Sequence, residues 1–322
     1  MAKLSKAREG SLQFSPRNRA EKFLPSVNWP IINLNSKLDS KVKGILGYVA
    51  YKVGMATALV KDSTDKSMTT GKKVYLPVTI LEVPAMKIYS IRFYHNGIVS
   101  KEVVVSNDKE LKKIVKTAKT LPTVSAPEKY DDVRVIVYTL AKQTNIKKTP
   151  DITELAVHAP TAHEKFEYVK SLVGKELSVH DFVHSNLLDS RGLTTGKGFS
   201  GALRRFGISL KQHKSEKGRR RPGSLGPWHP ARVTFRTPQA GQYGMFTRIQ
   251  YNNILIGSGK ISEKDINPKS GFSHYGKINS SYLIIKGSIQ GPEKRQILLT
   301  PSFRQTKHQA KKKYEFQELI TQ

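Results

Sequence analysis

The segment Gly196–Gly201 has the pattern G-x-G-x-x-G, which in dinucleotide-binding proteins follows a buried strand and opens a helix. The residues before it, Ser190–Thr195, do not predict such a strand, and the acid near the expected distance, Glu216, lies among lysines and arginines. Lys197 is followed by Gly198, where a P-loop needs Ser or Thr to hold magnesium. We therefore expect a turn whose backbone approaches phosphates closely, and no bound cofactor.

Two histidines, His180 and His184, have the four-residue spacing of a helical zinc pair, and Asp181 follows the first. The sequence indicates no third ligand, and the same stretch could equally form a strand, so we predict no metal site. No Ser-His-Asp arrangement stands out. The chain has no cysteine, which excludes disulfides, thiolate metal sites and a cysteine nucleophile. The residues alone therefore single out no catalytic group.

The strongest pattern in the chain is cationic. Residues 191–250 carry thirteen Lys and Arg but one acid, Glu216, and the scarcity of acids distinguishes this segment more than the number of bases. Residues 211–224 contain no aliphatic residue, Phe, Tyr or Trp, so no hydrophobic core can hold them. A structureless loop of that length is uncommon unless it is functional or disordered. Its charge predicts a polyanionic partner.

Trp228 is the aromatic residue that this basic segment presents. It follows the turn-rich run Gly223–Pro227 and precedes His229 and Pro230. A flat indole at the end of a basic loop can stack on a nucleic-acid base, worth roughly 1–3 kcal/mol, or it can cap a local hydrophobic mini-core. Neighbouring arginines favour the phosphates of RNA, which their fork geometry fits.

The elements around this loop are predicted mainly as strands. Val74–Val83 and Ile88–Tyr94 are rich in β-branched and aromatic residues, and Asn96–Gly97 predicts a hairpin turn. Gly44–Val60 suits two strands better than a membrane span, because Lys52 and three glycines interrupt it. Tyr282–Ile289 resumes the strand pattern. Short strands with frequent glycine suggest a barrel or a sandwich.

Residues 102–182 differ from the rest, with twelve acids against thirteen bases. Helical spacing of apolar residues predicts a helix over Asp108–Lys119, capped by the residue at 107 or 108. A capping box from Thr161 to Glu164 predicts a second helix, Thr161–Val173, ending at Gly174. Val133–Leu140 reads as a buried strand. We interpret this segment as a separate, inserted α/β unit.

At 322 residues the chain can hold two domains, and its formal net charge is +30. A surface of this charge needs a neutralising partner, for which nucleic acid and an anionic membrane are the two common answers. The sequence has no long uncharged apolar run, and its first ten residues lack the apolar core of a signal peptide. A reducing cytoplasm is compatible with the absence of cysteine.

Several motifs, in order along nearly the whole chain, resemble those of one family, universal ribosomal protein three of the large subunit (the L-three family) in its archaeal and eukaryotic form. The motifs are Gly10–Pro16, Gly47–Met55, Gly196–Gly201 with Arg204–Arg205 and Gly207, Gly226–Val233, Pro238–Gly244, His274–Gly276 and Lys286–Gly291.

The resemblance implies a mainly β fold: a six-stranded barrel like that of translation factors, an inserted α/β domain and long basic RNA-binding extensions. The implied domains are an N-terminal extension at 1–35, a barrel from 36–101 and 183–295 that carries a central basic loop at 207–240, an insert at 102–182 and a C-terminal tail at 296–322.

The resemblance also implies a structural constituent of the large ribosomal subunit, located in the cytoplasm, that binds ribosomal RNA early in assembly. Its central loop would approach the peptidyl-transferase centre with Trp228 at the tip. The implied partners are large-subunit ribosomal RNA and neighbouring ribosomal proteins, with no membrane and no small-molecule substrate. The resemblance also implies that the protein has no catalytic residue and no enzymatic activity. The predicted RNA-binding residues are Ser11, Phe14, Arg17, Arg19, Lys197, Arg204, Arg205, Lys211, Lys214, Lys217, Arg219, Arg220, Arg221, Trp228, His229, Arg232, Arg236, Gln242, Arg248, His274 and Tyr275.

The chain departs from the family's pattern at several positions. Thr195 stands where Lys is expected, Glu216 places an acid in the basic loop, and Phe235 replaces a Trp expected in the strand after that loop. The tail after Thr300 matches nothing in the pattern. Two other classes of function stay open at this point: an RNA-directed enzyme that holds a nucleotide or methyl donor at the glycine-rich turn, and a DNA-compacting basic protein.

Overall fold

The computed structural model describes residues 10–35, 42–117, 120–179, 182 and 185–320. These residues form two compact units. Unit 1 comprises the described residues up to Phe23 together with Leu193–Arg248, and unit 2 comprises Leu24–Gly192 and the described residues from Ile249 onward. Most of the regular structure is β-sheet, as the sequence predicts.

The strands are β1 (Gly44–Ile45), β2 (Tyr48–Asp62), β3 (Lys73–Val83), β4 (Met86–His95), β5 (Ile98–Val104), β6 (Asp132–Thr139), β7 (Ile152–His158), β8 (Leu187–Leu193), β9 (Phe199–Ser200), β10 (Gly241–Gln242), β11 (Thr247–Lys260), β12 (Ser281–Lys286), β13 (Gln296–Pro301) and β14 (Tyr314–Ile320). The helices are α1 (Trp29–Asn35), α2 (Ala162–Leu172), α3 (Ala202–Phe206) and α4 (Lys307–Ala310). The strands predicted at Val74–Val83, Ile88–Tyr94 and Val133–Leu140 are confirmed as β3, β4 and β6.

Two sheets organise unit 2. The larger has the order β13-β8-β11-β12-β3-β2-β14, and β13 also pairs with β2, which joins six of its strands into a closed ring of hydrogen-bonded neighbours. The smaller has the order β1-β7-β6-β4-β5. In it, β4 pairs with β6 and with β5, and the connection from β4 to β5 is the turn predicted at Asn96–Gly97, where both residues have positive φ.

Hydrophobic burial explains why the strands adopt this pairing. One buried cluster includes Trp29 of α1, Phe93 of β4 and Leu155 of β7. A second gathers β-branched residues of the larger sheet, such as Val60 and Ile80. The helix α1 lies within the predicted N-terminal extension, with Pro30 in its first turn, where the missing amide costs nothing. Because Trp29 is buried, the end of this extension belongs to a core.

The predicted capping box of the second helix is confirmed. In α2 the Glu164 amide donates to Thr161 Oγ1 over 3.2 Å, and Gly174 follows the helix with a φ of 78°. The cap satisfies a first-turn amide that has no partner inside the helix. This terminus could be predicted because both partners lie within four residues of each other.

The helix predicted at Asp108–Lys119 is wrong: the structure has a single 3-10 turn, Leu111–Lys113, and Lys119 itself lies outside the described residues. Leu111 is fully buried against Tyr138, and the Tyr138 hydroxyl donates to the Asp108 carboxylate, which was expected to cap the helix. Packing against β6 therefore overrides a weak local helix propensity.

A buried carboxylate anchors residues 275–280 to β3. Glu82 is fully buried and accepts hydrogen bonds from the Tyr275 hydroxyl, from the amides of Asn279 and Ser280 at 2.9 Å each, and from Ser280 Oγ at 2.9 Å. Burial and the negative charge of Glu82 raise the pKa of Tyr275 far above its ordinary value. A buried charge is tolerated when it is fully hydrogen-bonded, as this one is.

Candidate nucleic-acid interface

A short two-stranded stem carries the long basic loop of unit 1. Strand β9 pairs antiparallel with β10, with Ser200 opposite Gly241. The pairing continues on the side of the stem away from the loop, where the Lys197 amide donates to Tyr243 O and the Tyr243 amide donates to Gly198 O, each over 2.9 Å. The Thr194 amide donates to Phe246 O over 3.0 Å. This ladder brings the two ends of the loop together.

The G-x-G-x-x-G segment forms part of this stem. The expectation that no strand precedes it is wrong, because β8 runs over Leu187–Leu193 with every residue buried. Its polar residues hid the strand: Asp189 accepts from the Asn252 amide over 2.9 Å, and Arg191 Nε donates to Thr300 Oγ1 over 3.4 Å. The Lys197 amide donates to Tyr243 O, so this amide is used within the stem.

Two motif glycines are explained by close approach within unit 1. Gly244 has a φ of 78°, and a Cβ on it would lie 2.0 Å from Thr195 O, so a side chain there would break the stem. Gly10 has a φ of 77°, and a Cβ on it would lie 2.6 Å from the Phe206 ring. Both positions combine a left-handed backbone with a lack of space.

The N-terminal segment packs on α3 through arginines and aromatic rings. The Arg17 guanidinium lies over the Phe206 ring, 4.6 Å from its centroid. Arg205 donates to three backbone carbonyls: Nε to Gln242 O at 2.9 Å, Nη1 to Gln239 O at 3.0 Å and Nη2 to Arg17 O at 3.3 Å. Arg205 thus ties together the stem, the end of the basic loop and the N-terminal segment.

A third guanidinium lies close to this pair. Arg248 lies over the Phe14 ring at 4.2 Å and near Phe246 at 5.3 Å. Burial lowers the pKa of Arg205 and of Arg248, and the charge of Arg17 lowers both further. Three cations packed this closely favour binding of an anion, because it would relieve their mutual repulsion.

The basic loop, residues 207–240, contains no helix or strand. Its first half closes on itself, since the Lys211 amide donates to Arg219 O over 3.2 Å and Arg219 Nε donates to Lys211 O over 3.3 Å. Farther along, Thr237 Oγ1 donates to Leu225 O over 2.8 Å. Trp228 is 88% exposed, so the mini-core reading of this residue is not supported.

The structure divides the predicted RNA-binding residues into three groups. Most are exposed in unit 1, namely Ser11, Phe14, Arg19, Lys197, Arg204, Lys214, Lys217, Arg219, Arg220, Arg221, Trp228, His229, Arg232 and Arg236. Five are half-buried there, namely Arg17, Lys211, Arg205, Gln242 and Arg248. His274 and Tyr275 lie in unit 2, where His274 is exposed and the Tyr275 hydroxyl is bound to Glu82.

Sequence reasoning missed the aromatic residues that position these cations. Phe206 supports Arg17, and Tyr243 supports Lys197, whose Nζ lies 4.9 Å from the ring centroid. Phe235 was expected in a strand, but it lies in a turn and is 71% exposed. The adjacent pairs Arg205–Phe206 and Phe235–Arg236 are the sequence signal that could have indicated them.

Other candidate sites find no support among the residues that the structure describes. The histidine pair, His180 and His184, lies outside them. Within the described ranges, no three His, Asp or Glu side chains come together in a metal-binding arrangement. No helix of the described part combines the length and apolarity needed to cross a membrane.

Comparison with known proteins gives one consistent result. A family model described as "Ribosomal protein L3" matches residues 1–117 and 92–320. The large ribosomal subunit protein uL3 of Methanococcus vannielii is 37% identical over 320 residues, covering 94% of this chain and 92% of that protein. The uL3 protein of Methanocaldococcus jannaschii is 36% identical over 318 residues, with the same coverage of both chains. The uL3 protein of Methanococcoides burtonii is 37% identical over 321 residues, covering 93% of this chain and 92% of that protein. The chain therefore belongs to the ribosomal protein L3 family.

Proposed function

We propose that this protein is a structural, non-enzymatic constituent of the large ribosomal subunit in the cytoplasm, and that it binds large-subunit ribosomal RNA through unit 1. The observation that carries the proposal is the loop at 207–240, which has many cations, one acid and no regular structure, on a stem that holds its ends together. Such a loop gains order and charge neutralisation by threading between RNA helices. Neighbouring ribosomal proteins are the proposed partners of unit 2.

The architecture we propose for unit 2 is a six-stranded β-barrel with an inserted α/β domain. The closed ring β2-β3-β12-β11-β8-β13 supports the barrel. Strands β4, β5 and β6 lie in one sheet, in which β4 pairs with both β5 and β6, so the insert would begin near residue 85 rather than at 102. Since β13 completes the ring, the barrel would extend to residue 301, leaving a C-terminal tail from 302.

We also propose that Trp228 is the tip that reaches toward the peptidyl-transferase centre. Its exposed indole has no partner ring in its own loop that would compete with a base, and the cations of the loop would neutralise the surrounding phosphates. Replacing Trp228 with alanine should therefore impair peptidyl transfer in assembled subunits more than subunit assembly. Equal loss of both activities, or of neither, would count against a special tip.

Binding of the full chain to large-subunit RNA fragments over a range of salt concentrations tests the electrostatic account. If the loop makes six to ten phosphate contacts, affinity should fall roughly 10³–10⁵-fold between 50 and 200 mM salt by duplex-DNA arithmetic. A flat response would reject the account. Equal affinity for duplex DNA of the same length would point instead to a DNA-compacting protein.

Charge removal at two places shows which surface binds. Arg219, Arg220 and Arg221, changed together to Gln, should weaken binding at least tenfold and reduce the salt slope by up to about three. The matched control replaces three exposed lysines of unit 2, Lys109, Lys112 and Lys116, by Gln and should change little. Equal loss from both variants would mean that net charge alone, and no particular surface, determines binding.

A further inference from the structure

Unit 1 contains an open cleft of about 720 Å³, whose lining includes two of the predicted RNA-binding residues, Arg17 and Arg205. The residues that line it are Ser15–Asn18, Arg205 and Phe206 of α3, Val233–Phe235, Thr237, Gln239 and Ala240. The volume is in the range of pockets that hold nucleotide-sized ligands. A second groove, around Trp228, is lined by Leu225–Trp228 and Pro230–Val233 and shares only Val233 with the cleft.

The cationic part of this cleft includes a hydrogen-bond donor without a partner. Arg17 Nη2 donates to Ser11 O over 3.1 Å, but Arg17 Nε is buried and has no hydrogen-bond partner. Arg205, the second guanidinium, is held by three carbonyls. None of the residues lining the cleft is an acid. A buried, unpaired donor beside a second cation is the arrangement that an anionic oxygen satisfies best.

Another part of the lining is apolar. The Phe235 ring is 71% exposed although it lies in an ordered turn where the Thr237 amide donates to Thr234 O over 3.1 Å. Arg236 lies beside the ring, 6.0 Å from its centroid. An exposed ring next to guanidinium groups offers a surface on which a nucleic-acid base can stack, and stacking tolerates any base.

We propose that this cleft binds a single unstacked nucleotide within an RNA strand, with its phosphate at Arg17 and its base stacked on Phe235. The inference rests on the proposed function, because the RNA strand is what would deliver the nucleotide. It adds a specific pocket to a surface otherwise described only by its charge. It also gives a role to Phe235, where the family's pattern led us to expect Trp: either ring can stack.

The test uses the full chain and two RNA hexamers of equal charge, an oligoadenylate and the same strand with abasic residues. Phe235→Ala should reduce the preference for the base-bearing hexamer about 5- to 150-fold, and Phe235→Trp should keep it. Phe199→Ala is the matched control, because Phe199 is 82% exposed in the same unit and does not line the cleft. Arg17→Gln should weaken both hexamers alike.

Each outcome decides the proposal. Equal effects of Phe235→Ala and Phe199→Ala on the preference for the base-bearing hexamer would overturn the nucleotide pocket and leave a simple anion site. If adenosine monophosphate competes as well as the hexamer, the pocket does not require a nucleotide within an RNA strand, and that part of the proposal is overturned. If large-subunit RNA still binds in these cases, the proposed function stands. If the unmodified chain binds no such RNA, the proposed function itself fails.

Discussion

At the scale of single residues, hydrogen bonding distinguishes a structural role from a binding role for residues that look alike in the sequence. Tyr275 belongs to a motif that predicted an RNA contact, but its hydroxyl is bound to Glu82. Conversely, Arg17 looks like one more cation of a basic terminus, yet it lies on Phe206 and has a buried donor that lacks a partner. Residue type alone did not separate these two roles.

Removing the Tyr275 hydroxyl should destabilise unit 2. Tyr275→Phe leaves the buried Glu82 carboxylate with one donor fewer, so we expect a loss of about 1.5–3 kcal/mol in the free energy of unfolding, measured with urea. The control Tyr75→Phe removes the hydroxyl of an exposed ring and should stay within about 0.5 kcal/mol. A neutral Tyr275→Phe would show that water replaces the bond.

Asp62 should make stability depend on acid. Its carboxylate accepts from the Thr64 amide at 2.9 Å, Thr69 Oγ1 at 2.5 Å and Ser67 Oγ at 3.1 Å. The hydrogen bonds with Thr64 and Thr69 lower the pKa of Asp62 to about 2, against a desolvation effect that raises it. Because the pKa of Asp62 is lower in the folded chain than in the unfolded chain, the ionised carboxylate stabilises the fold at pH values above the unfolded pKa. This stabilisation is lost as the pH falls through the folded-state pKa.

The expected window therefore runs from about pH 5 down to about pH 2. Asp62→Asn should lower the free energy of unfolding by about 1 kcal/mol at pH 7 and flatten the decline of stability over that window. Thermal unfolding at a series of pH values measures both effects. Asp65→Asn, at an exposed neighbouring acid, is the control and should keep the wild-type profile. An unchanged slope in Asp62→Asn would assign the acid sensitivity to other groups.

At the scale of elements, the two-residue strands β9 and β10 hold the large basic loop. Their pairing depends on the backbone approach at Gly244, where a Cβ would collide with Thr195 O. The stem is thus controlled by a residue that contributes no side chain. The G-x-G-x-x-G segment, which resembles a nucleotide-binding motif in the sequence, forms the other side of this β-ladder.

Gly244→Ala should open this stem. The left-handed backbone alone costs a non-glycine residue about 1–2 kcal/mol, and the overlap with Thr195 O adds to it. We expect the protected amides of Lys197 and Tyr243 to exchange hydrogen faster by tenfold or more. Gly223→Ala is the control, since its backbone has negative φ and open space around it. Similar exchange in both variants would disprove a closed stem.

At the scale of the whole molecule, charge and core are separated along the chain. Residues 102–182 carry nearly balanced charge, while most of the excess positive charge lies elsewhere, with residues 191–250 carrying a single acid. Both large buried clusters lie in unit 2. Unit 2 therefore has the means to fold by hydrophobic burial, whereas the basic loop has little apolar surface to bury.

Removing the loop tests this separation. Replacing residues 208–239 by a short Gly-Ser linker should leave the melting temperature of the chain within about 2 °C of the wild type, because the loop buries little apolar surface. The affinity for large-subunit RNA should fall by tenfold or more. A marked drop in melting temperature would show that the loop supports the fold, and unchanged affinity would place the RNA contacts elsewhere.

The sequence by itself determined the features that depend on neighbours along the chain. The position of the basic loop, its inability to enter a core, the strands β3, β4 and β6 and the cap of α2 all follow from composition or from spacing within a few residues. Motif order along the chain also indicated the family, which the comparisons confirm. These features can be predicted from local sequence because the groups involved interact with residues nearby in the chain or with solvent.

Only the tertiary structure decided which distant residues meet. The strand β8 was hidden because its polar residues find partners in other strands, and Asp108 caps no helix because Tyr138 takes its carboxylate. The cleft brings together Arg17 and Arg205, which lie 188 residues apart and are joined by a hydrogen bond from the Arg205 guanidinium to Arg17 O. Such contacts depend on how remote segments pack together, and the spacing of residues along the chain does not reveal that packing.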